Sequence, residues 1–354
     1  MNKRNNPWVT SPNFLLTSVV KNVSETLTLH LPEAIKGWRL GRGELAGVLA
    51  RAALLGAHPT RTAEVLGVAD EDTVSYQLRK VGVECPAGLN LVLGEVASEL
   101  LEKGGKHVLA VDTTEVEYWG EKDGWVHYSP GRGWVHRFVG LSVVGWRRCV
   151  PLSLKPVSFG AFPADLVLWA LGEAERLGLR VDVLLLDRGF HSVEVALLLK
   201  SMGTHFVIGA RKTEGIKRLL KGLDKNKLHA VPYRMRGQTP WGRKEVEVTL
   251  VAYHGRKGWV TLLCWGVDPG EAKKYSLRWG IETCFRMVKK HRARTCSRSL
   301  PLRWLLLLTS TLLYLAYLLL ALREEEPPRS YEDFAITLLI TLLLRQPGEP
   351  PPAG

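Results

Sequence analysis

The chain has 354 residues, 46% of them hydrophobic, a formal net charge of +13 and a pI near 9.6. That length holds two or three domains of ordinary globular composition, and the charge favours a polyanion, either nucleic acid or an anionic membrane surface, without choosing between them. Five cysteines, an odd number with no CxxC pair, argue against a disulfide framework and a zinc site and fit a reducing cytoplasm.

The opening MNKRNNPWVTSPNFLL has no long apolar run after its charges, so no signal peptide is expected. Residues 1–104 read as a helical N-terminal domain. Glu44 to Ala57 makes a short apolar-rich helix. Thr60 is placed to cap RTAEVL, Gly67 ends that helix, and Glu71 to Lys80 makes another. Two short helices about a glycine turn have the form of a helix-turn-helix. That form offers Thr73, Ser75, Tyr76, Gln77, Arg79 and Lys80 to a DNA groove, although any small helical bundle shows the same pattern.

Residues 105–211 mix strands, turns and helices. HVLAVDTTEVEYW and the segments around the Pro130-Gly131 turn read as strands. Pro163 opens a helix. Val181 to Leu186 is a continuous apolar run, the mark of a strand covered on both faces. A helix from Val193 to Met202 and a strand from Thr204 to Arg211 follow. This order predicts an α/β fold with a mixed sheet and helices on both faces. Residues 212–268 read as a β-rich insertion. Val246, Val248 and Leu250 face one way and Glu245, Glu247 and Thr249 the other, with WVTLLCW as the hairpin partner across HGRKG. Trp304 to Leu322, in the segment 269–325, is as long as a membrane span. Thr309, Ser310 and Thr311 in its middle favour a buried core helix, so no membrane is expected. In 326–354, Ser330 and Asp333 resemble a capping box for a last helix to Leu344, and QPGEPPPAG is expected to be disordered.

The chemistry concentrates around Tyr275 to Lys289. As one helix, this stretch gathers Tyr275, Arg278, Glu282 and Lys289 within about 60° of one another along about 21 Å, with Arg286 near them. Leu277, Ile281, Cys284 and Val288 form an apolar face opposite. An exposed, salt-bridged helix shows the same mix of signs. Upstream, Asp112 and Asp187 each end an apolar strand-like run. These two strand carboxylates and Glu282 can converge on two Mg²⁺ or Mn²⁺ ions. Such ions prefer hard oxygen ligands and, as a pair, promote phosphoryl transfer. Glu115 and Glu117 share the strand of Asp112. His191 is expected to be structural or DNA-facing, and Trp241 and Trp259 either stack on an unpaired base or pack in the core.

These residues resemble the DDE transposases of insertion sequences, in particular the insertion-sequence-four family. Its signature is Tyr, two residues, Arg, three residues, Glu, six residues, Lys. Tyr275, Arg278, Glu282 and Lys289 keep every spacing. Asp187-Arg188-Gly189-Phe190 matches the run around the family's second acid, and Asp112 is followed by Thr113 and Thr114 as its first acid is by Thr. The resemblance covers residues 105–325. It implies a ribonuclease-H-like mixed sheet flanked by helices, with a β-rich insertion in the 94 residues between Asp187 and Glu282. It implies that Asp112, Asp187 and Glu282 are the catalytic acids and hold two Mg²⁺ or Mn²⁺ ions. Tyr275, Arg278 and Lys289 would then bind DNA phosphates, joined by Arg188, Arg286 and Lys290, with KKHRARTCSR continuing the phosphate track. The implied function is DNA cleavage and strand transfer at insertion-sequence ends, that is, cut-and-paste transposition. The implied partners are double-stranded DNA, as terminal repeats and target, and a second copy of the chain in the DNA complex. The implied location is the cytoplasm, on the nucleoid. A nuclease that hydrolyses without joining and a catalytically inactive DNA-binding derivative are the alternatives on the same core.

Overall fold

The computed structural model describes residues 40–323 apart from 103 and 146–148, together with 23, 25–33 and 330–344. The expectations for the chain start and for QPGEPPPAG lie outside these residues. The chain divides into a mainly helical unit, Met1–Leu100 with Trp119–Glu121 and Phe285–Gly354, and a sheet unit, Leu101–Tyr118 with Lys122–Cys284.

The N-terminal helices are α1 (Arg42–Leu55), α2 (Pro59–Val65), α3 (Glu71–Arg79) and α4 (Glu84–Ser98). The Glu44 carboxylate accepts the Gly41 N–H at 2.7 Å and closes the start of α1. Gly56, at φ 59°, ends it in the left-handed conformation. Thr60 does not cap α2. His58 holds that position and Pro59 fills the first turn, where its missing N–H has no helical partner to lose. Asp70 caps α3, accepting the Thr73 N–H at 2.7 Å and the Thr73 hydroxyl at 3.0 Å. Two of the six groove candidates therefore drop out. Thr73 is committed to its cap, and Gln77 is buried in the helix packing. Tyr76, Arg79 and Lys80 remain exposed, with Ser75 half-buried.

The sheet unit carries one mixed sheet, of nine strands among the described residues. These are β1 (Lys106–Glu117), β2 (Val126–Ser129), β3 (Gly133–Val144), β4 (Cys149–Pro156), β5 (Arg180–Leu186), β6 (Phe206–Gly209), β7 (His229–Thr239), β8 (Gly242–Gly255) and β9 (Gly258–Trp265). Their order is β2-β3-β1-β5-β6-β9-β8-β7, with β4 beside β3 on the edge that β2 also uses. Along β4-β3-β1 the pairing is antiparallel, and along β1-β5-β6 it is parallel. That is the ribonuclease-H-like arrangement. Helices α5 (Pro163–Arg176), α6 (Val193–Ser201) and α7 (Glu214–Lys221) flank the sheet. Leu184, Leu185 and Leu186 of β5 are fully buried, as a central strand covered on both faces requires.

The β-rich segment is continuous with this sheet, because β9 pairs antiparallel with β6 and carries β8 and β7 outward. Val246, Val248 and Leu250 are buried and Glu245 and Glu247 exposed, as the alternation predicts. Helix α7 departs from the β-rich reading of this segment. Its N-cap is Thr213, whose hydroxyl accepts the Ile216 N–H at 3.4 Å.

In the helical unit, α9 (Leu300–Arg323) packs against α1 and α4, and α10 (Tyr331–Leu344) follows it. Helix α9 is long and apolar enough to cross a membrane, yet 78% of its most apolar stretch is buried within the protein. Thr309, Ser310 and Thr311 donate to the carbonyls of Leu305, Leu306 and Leu307 at 2.9–3.0 Å, so the buried hydroxyls are satisfied within the helix itself. Ser330 caps α10, accepting the Asp333 N–H at 3.1 Å. Truncating Leu307, fully buried in α9, to Ala is expected to cost about 2–5 kcal/mol in urea unfolding. Leu168→Ala, half exposed on α5, is expected to stay within about 0.5 kcal/mol of wild type. Equal losses at the two positions would show that α9 is not a core element.

Candidate functional site

Two of the acids are brought together by strand register. Strands β1 and β5 pair in parallel with Val111 beside Leu186, so the next residues of the two chains are Asp112 and Asp187. Both stand where β5 ends, at the carboxyl end of the parallel strands, where open α/β sheets form their ligand crevices. Asp187 then caps a short 3₁₀ turn, Arg188–Phe190, by accepting the Gly189 N–H at 2.7 Å. Asp112 accepts the Thr113 N–H at 2.7 Å. Burial pushes the Asp112 carboxyl up to about 7, and the negative charges of Asp187 and Glu282 push the same way. Arg278 and the Thr113 N–H oppose that shift.

The third acid arrives on α8 (Trp279–Lys290). The stretch from Tyr275 is not one α-helix. Residues Glu271–Arg278 form a 3₁₀ helix, and the α-helix begins at Trp279. Three residues per turn align Ala272, Tyr275 and Arg278 on one side, and Ala272 and Arg278 are buried there. A 3.6-residue wheel cannot show that column. From Ile281 onward the α-helical pattern holds, with Ile281, Cys284 and Val288 buried and Leu277 half-buried before it.

Arg278 links the acids. Its guanidinium donates to Asp112 Oδ2 at 2.9 Å through Nη1 and to Glu282 Oε1 through Nη2. Only 8% of its side chain is exposed, against 10% for Asp112 and 31% for Glu282, so water screens this bridge poorly. Burial works against the Arg278 charge, but Tyr275, Asp112 and Glu282 outweigh it and hold the guanidinium above its ordinary range. The guanidinium carbon lies 5.4 Å from the Tyr275 ring centroid and 5.6 Å from that of Trp279. Burial raises the Tyr275 phenol, with Arg278 opposing. Gly209 at the end of β6 leaves room for the Tyr275 hydroxyl, into which any Cβ would run.

Asp112, Asp187, Glu282, Tyr275, Arg278 and Arg188 thus belong to one constellation in the sheet unit, with the Arg188 side chain exposed. Arg286, Lys289 and Lys290 fall in the helical unit. Arg286 is exposed there, and Lys290 is ion-paired with Glu332. Glu115 has a separate role. It accepts from Ser129 at 2.7 Å and from Arg137, directly opposite it on β3, at 2.9 Å. His191 Nδ1 accepts the Arg211 N–H at 2.6 Å. Trp241 is 73% exposed, whereas Trp259 packs against His229 and His254.

One feature was not visible in the sequence. A cleft of about 240 Å³ beside Asp187 is lined by Thr113, Arg137, Phe159, Gly189 and Phe190 among others. Arg137 reaches it only through the β1–β3 register, which no local pattern encodes.

Two carboxylates on neighbouring strands and a third on a helix thus stand at the carboxyl end of the parallel strands of a ribonuclease-H-like sheet. The chain belongs to the family described as the transposase DDE domain, which matches residues 103–316. Its function therefore lies in DNA transposition. A structure of piggyBac transposase in a synaptic complex with hairpin DNA is similar in fold, with a TM-score of 0.56 at 14% identity over 96% of this chain and 80% of that one. No curated protein matches the sequence.

Arg278→Ala removes the cation from between two largely buried carboxylates. A loss of about 3–5 kcal/mol is expected in urea unfolding of the metal-free protein, with partial recovery when Asp112→Asn is added. An unchanged unfolding midpoint would show that the bridge contributes nothing. The raised carboxyl also makes metal-free stability depend on pH. Between the ordinary value of 3.8 and about 7, the folded protein keeps a proton on Asp112 that the unfolded chain has lost. Stability is then lost as pH rises through that window. In chelator, the wild-type melting temperature is expected to fall from about pH 5 to about pH 8, and less steeply for Asp112→Asn. Parallel curves would remove Asp112 as the source.

Proposed function

We propose that this chain is a cut-and-paste transposase of the insertion-sequence-four type, which cleaves DNA at the ends of its element and joins the freed 3′ ends to target DNA. The observation that carries this reading is that strand register sets Asp187 beside Asp112 on a ribonuclease-H-like sheet while Arg278 bridges Asp112 to Glu282. The donor set fits a divalent ion of the Mg²⁺ or Mn²⁺ kind. All the donors are hard oxygens, and an ion there would offset both the burial that chiefly pushes Asp112 up to about 7 and the negative charges of Asp187 and Glu282 that add to it. As the side chains stand, no group of three acidic, histidine or cysteine ligands among the described residues is gathered closely enough to hold an ion. Arg278 occupies the space between two of the carboxylates instead. Asp112, Asp187 and Glu282 would hold two ions, which supply activation of the attacking oxygen and neutralisation of the leaving one.

The chain's own residues do the rest. Thr113 and Gly189 orient Asp112 and Asp187 through their backbone N–H groups. Arg278, with Tyr275 beneath it, is committed to the acids in the metal-free arrangement and would turn to a DNA phosphate once other positive charge holds them. Arg188, Arg286, Lys289 and Lys290 would extend the phosphate contacts on double-stranded DNA. A homodimer would pair the two ends of the element, on the nucleoid in the cytoplasm.

The test is cleavage of a duplex carrying the element's own end. Wild type is expected to nick it with Mg²⁺ or Mn²⁺ and to join a supplied 3′-hydroxyl end to target. Glu282→Ala is expected to bind the duplex without cutting it. Cutting by Glu282→Ala at the wild-type rate would place the chemistry elsewhere. Nicking without joining would make the protein a nuclease, and binding without nicking an inactive derivative.

A further inference from the structure

We infer that the pocket between α2, α3 and the segment 294–302 of the helical unit is a binding site for the phosphate backbone of duplex DNA, with Arg79 and Arg294 taking a phosphodiester. This deepens the transposase reading and rests on it. The cavity measures about 350 Å³, and its polar lining includes Thr60, Ser75, Arg79, Arg294 and Ser297. The one acid in the lining is Glu71, which accepts the Thr60 hydroxyl at 3.1 Å. Among the described residues Arg79 and Arg294 have no ion-pair partner, and both side chains are exposed. The lining thus presents two guanidiniums against one carboxylate, together with hydroxyl donors, which suits an anion.

The wall that carries Arg294 is not helical, but it is fixed. The Arg294 N–H donates to the Ala57 carbonyl at 2.8 Å. The Thr295 hydroxyl accepts the Ser297 N–H at 3.0 Å, and the Ser297 hydroxyl accepts the Ser299 N–H at 3.1 Å. Arg303 Nε donates to the Ser297 carbonyl at 2.7 Å. An irregular segment pinned at four points is a preformed surface, so a ligand there pays little to order it.

Charge continues away from the pocket in both directions. On one side the run Lys289–Arg298 contains five Lys or Arg residues and no acid, with Lys290 ion-paired with Glu332 and Arg298 with Glu121. On the other, the exposed C-terminal half of α3 carries Tyr76, Arg79 and Lys80, with the Lys80 ammonium 5.3 Å from the Tyr76 ring centroid. A small anion needs one subsite, whereas a row of cations passing through a pocket suits a polyanion. Exposed Asp72 repels phosphate from the N-terminal end of α3, while Glu71, within the pocket lining, is held by the Thr60 hydroxyl. The helix therefore meets DNA through its C-terminal half and along the backbone, unlike a recognition helix that enters the groove by its N-terminus.

Cys296 lines the same pocket and is exposed, while Cys85, Cys149, Cys264 and Cys284 are buried. Maleimide labelling of the full chain therefore reports on the pocket. A mixed-sequence duplex at low salt is expected to slow Cys296 labelling severalfold, and inorganic phosphate at equal phosphate concentration is not. Arg79→Ala and Arg294→Ala are each expected to weaken that protection and to lower the slope of log affinity against log salt by about 1. Arg294→Lys keeps the charge and is expected to keep the slope, which separates a lost contact from a damaged fold. The site is overturned if the duplex binds while Cys296 labels at an unchanged rate and both alanine variants bind as wild type, an outcome that leaves the transposase reading standing. It is also overturned if inorganic phosphate protects as well as the duplex. Failure of the wild type to bind any duplex sinks the transposase reading and this site with it.

Discussion

The parallel pairing of β1 with β5 is the constraint on which the site depends. Val111 beside Leu186 makes Asp112 and Asp187 neighbours across strands about 4.8 Å apart, on the same face of the sheet. A slip of one residue would turn one acid to the opposite face. The register is held by what precedes the acids. Leu109, Ala110 and Val111 lie against Leu184, Leu185 and Leu186, and all six are fully buried. Moving either strand would break that packing, so two polar groups are positioned by six apolar ones.

That placement has an electrostatic cost. Asp112 is 7% exposed and feels the charge of Asp187 and of Glu282. Without a cation the arrangement favours protonation. Arg278 is the cation the chain supplies, and the 3₁₀ winding of Glu271–Arg278 brings it there together with Tyr275. Removing two charges from water is expensive, and their attraction repays this only where further hydrogen bonds satisfy them. The Thr113 N–H on Asp112 and the bond from Arg278 to Glu282 are such bonds.

Much of this was legible in the sequence because the signals are local. VDVLLL announces a central strand, the Val246–Leu250 alternation one with a buried and an exposed face, and the apolar spacing of Ile281, Cys284 and Val288 the buried face of α8. The misses share a physical origin. In EAKKYSLR the inward column Ala272, Tyr275 and Arg278 has a spacing of three and mixes a small apolar residue with a phenol and a cation, so helical periodicity misread the winding. In α2, Pro59 took the first turn and moved the cap from Thr60 to His58. Gln77 looked like a groove contact because sequence cannot tell a polar residue facing solvent from one folded inward. Helix α7 was hidden by Gly215 inside a strand-rich stretch, although Thr213 was a readable cap. Arg137 and its bond to Glu115 depend on register between distant strands, and register is a tertiary fact.

The position of Arg278 also constrains the order of events under the proposed reading. A guanidinium is planar, and its two Nη groups already serve Asp112 and Glu282. The Arg278 side chain is only 8% exposed and its Nε is buried without a partner among the described residues, so in this arrangement it does not reach a phosphate. One monovalent charge shared between two acids, with Asp187 a third beside them, leaves the site short of positive charge while it holds Arg278 tightly. Under the proposed reading, Arg278 would become available to DNA once other cations neutralise Asp112 and Glu282, and the same cations would relieve the repulsion between Asp112 and Asp187. The residue that stabilises the resting site would therefore tie its own contact with DNA to the prior loading of the acids.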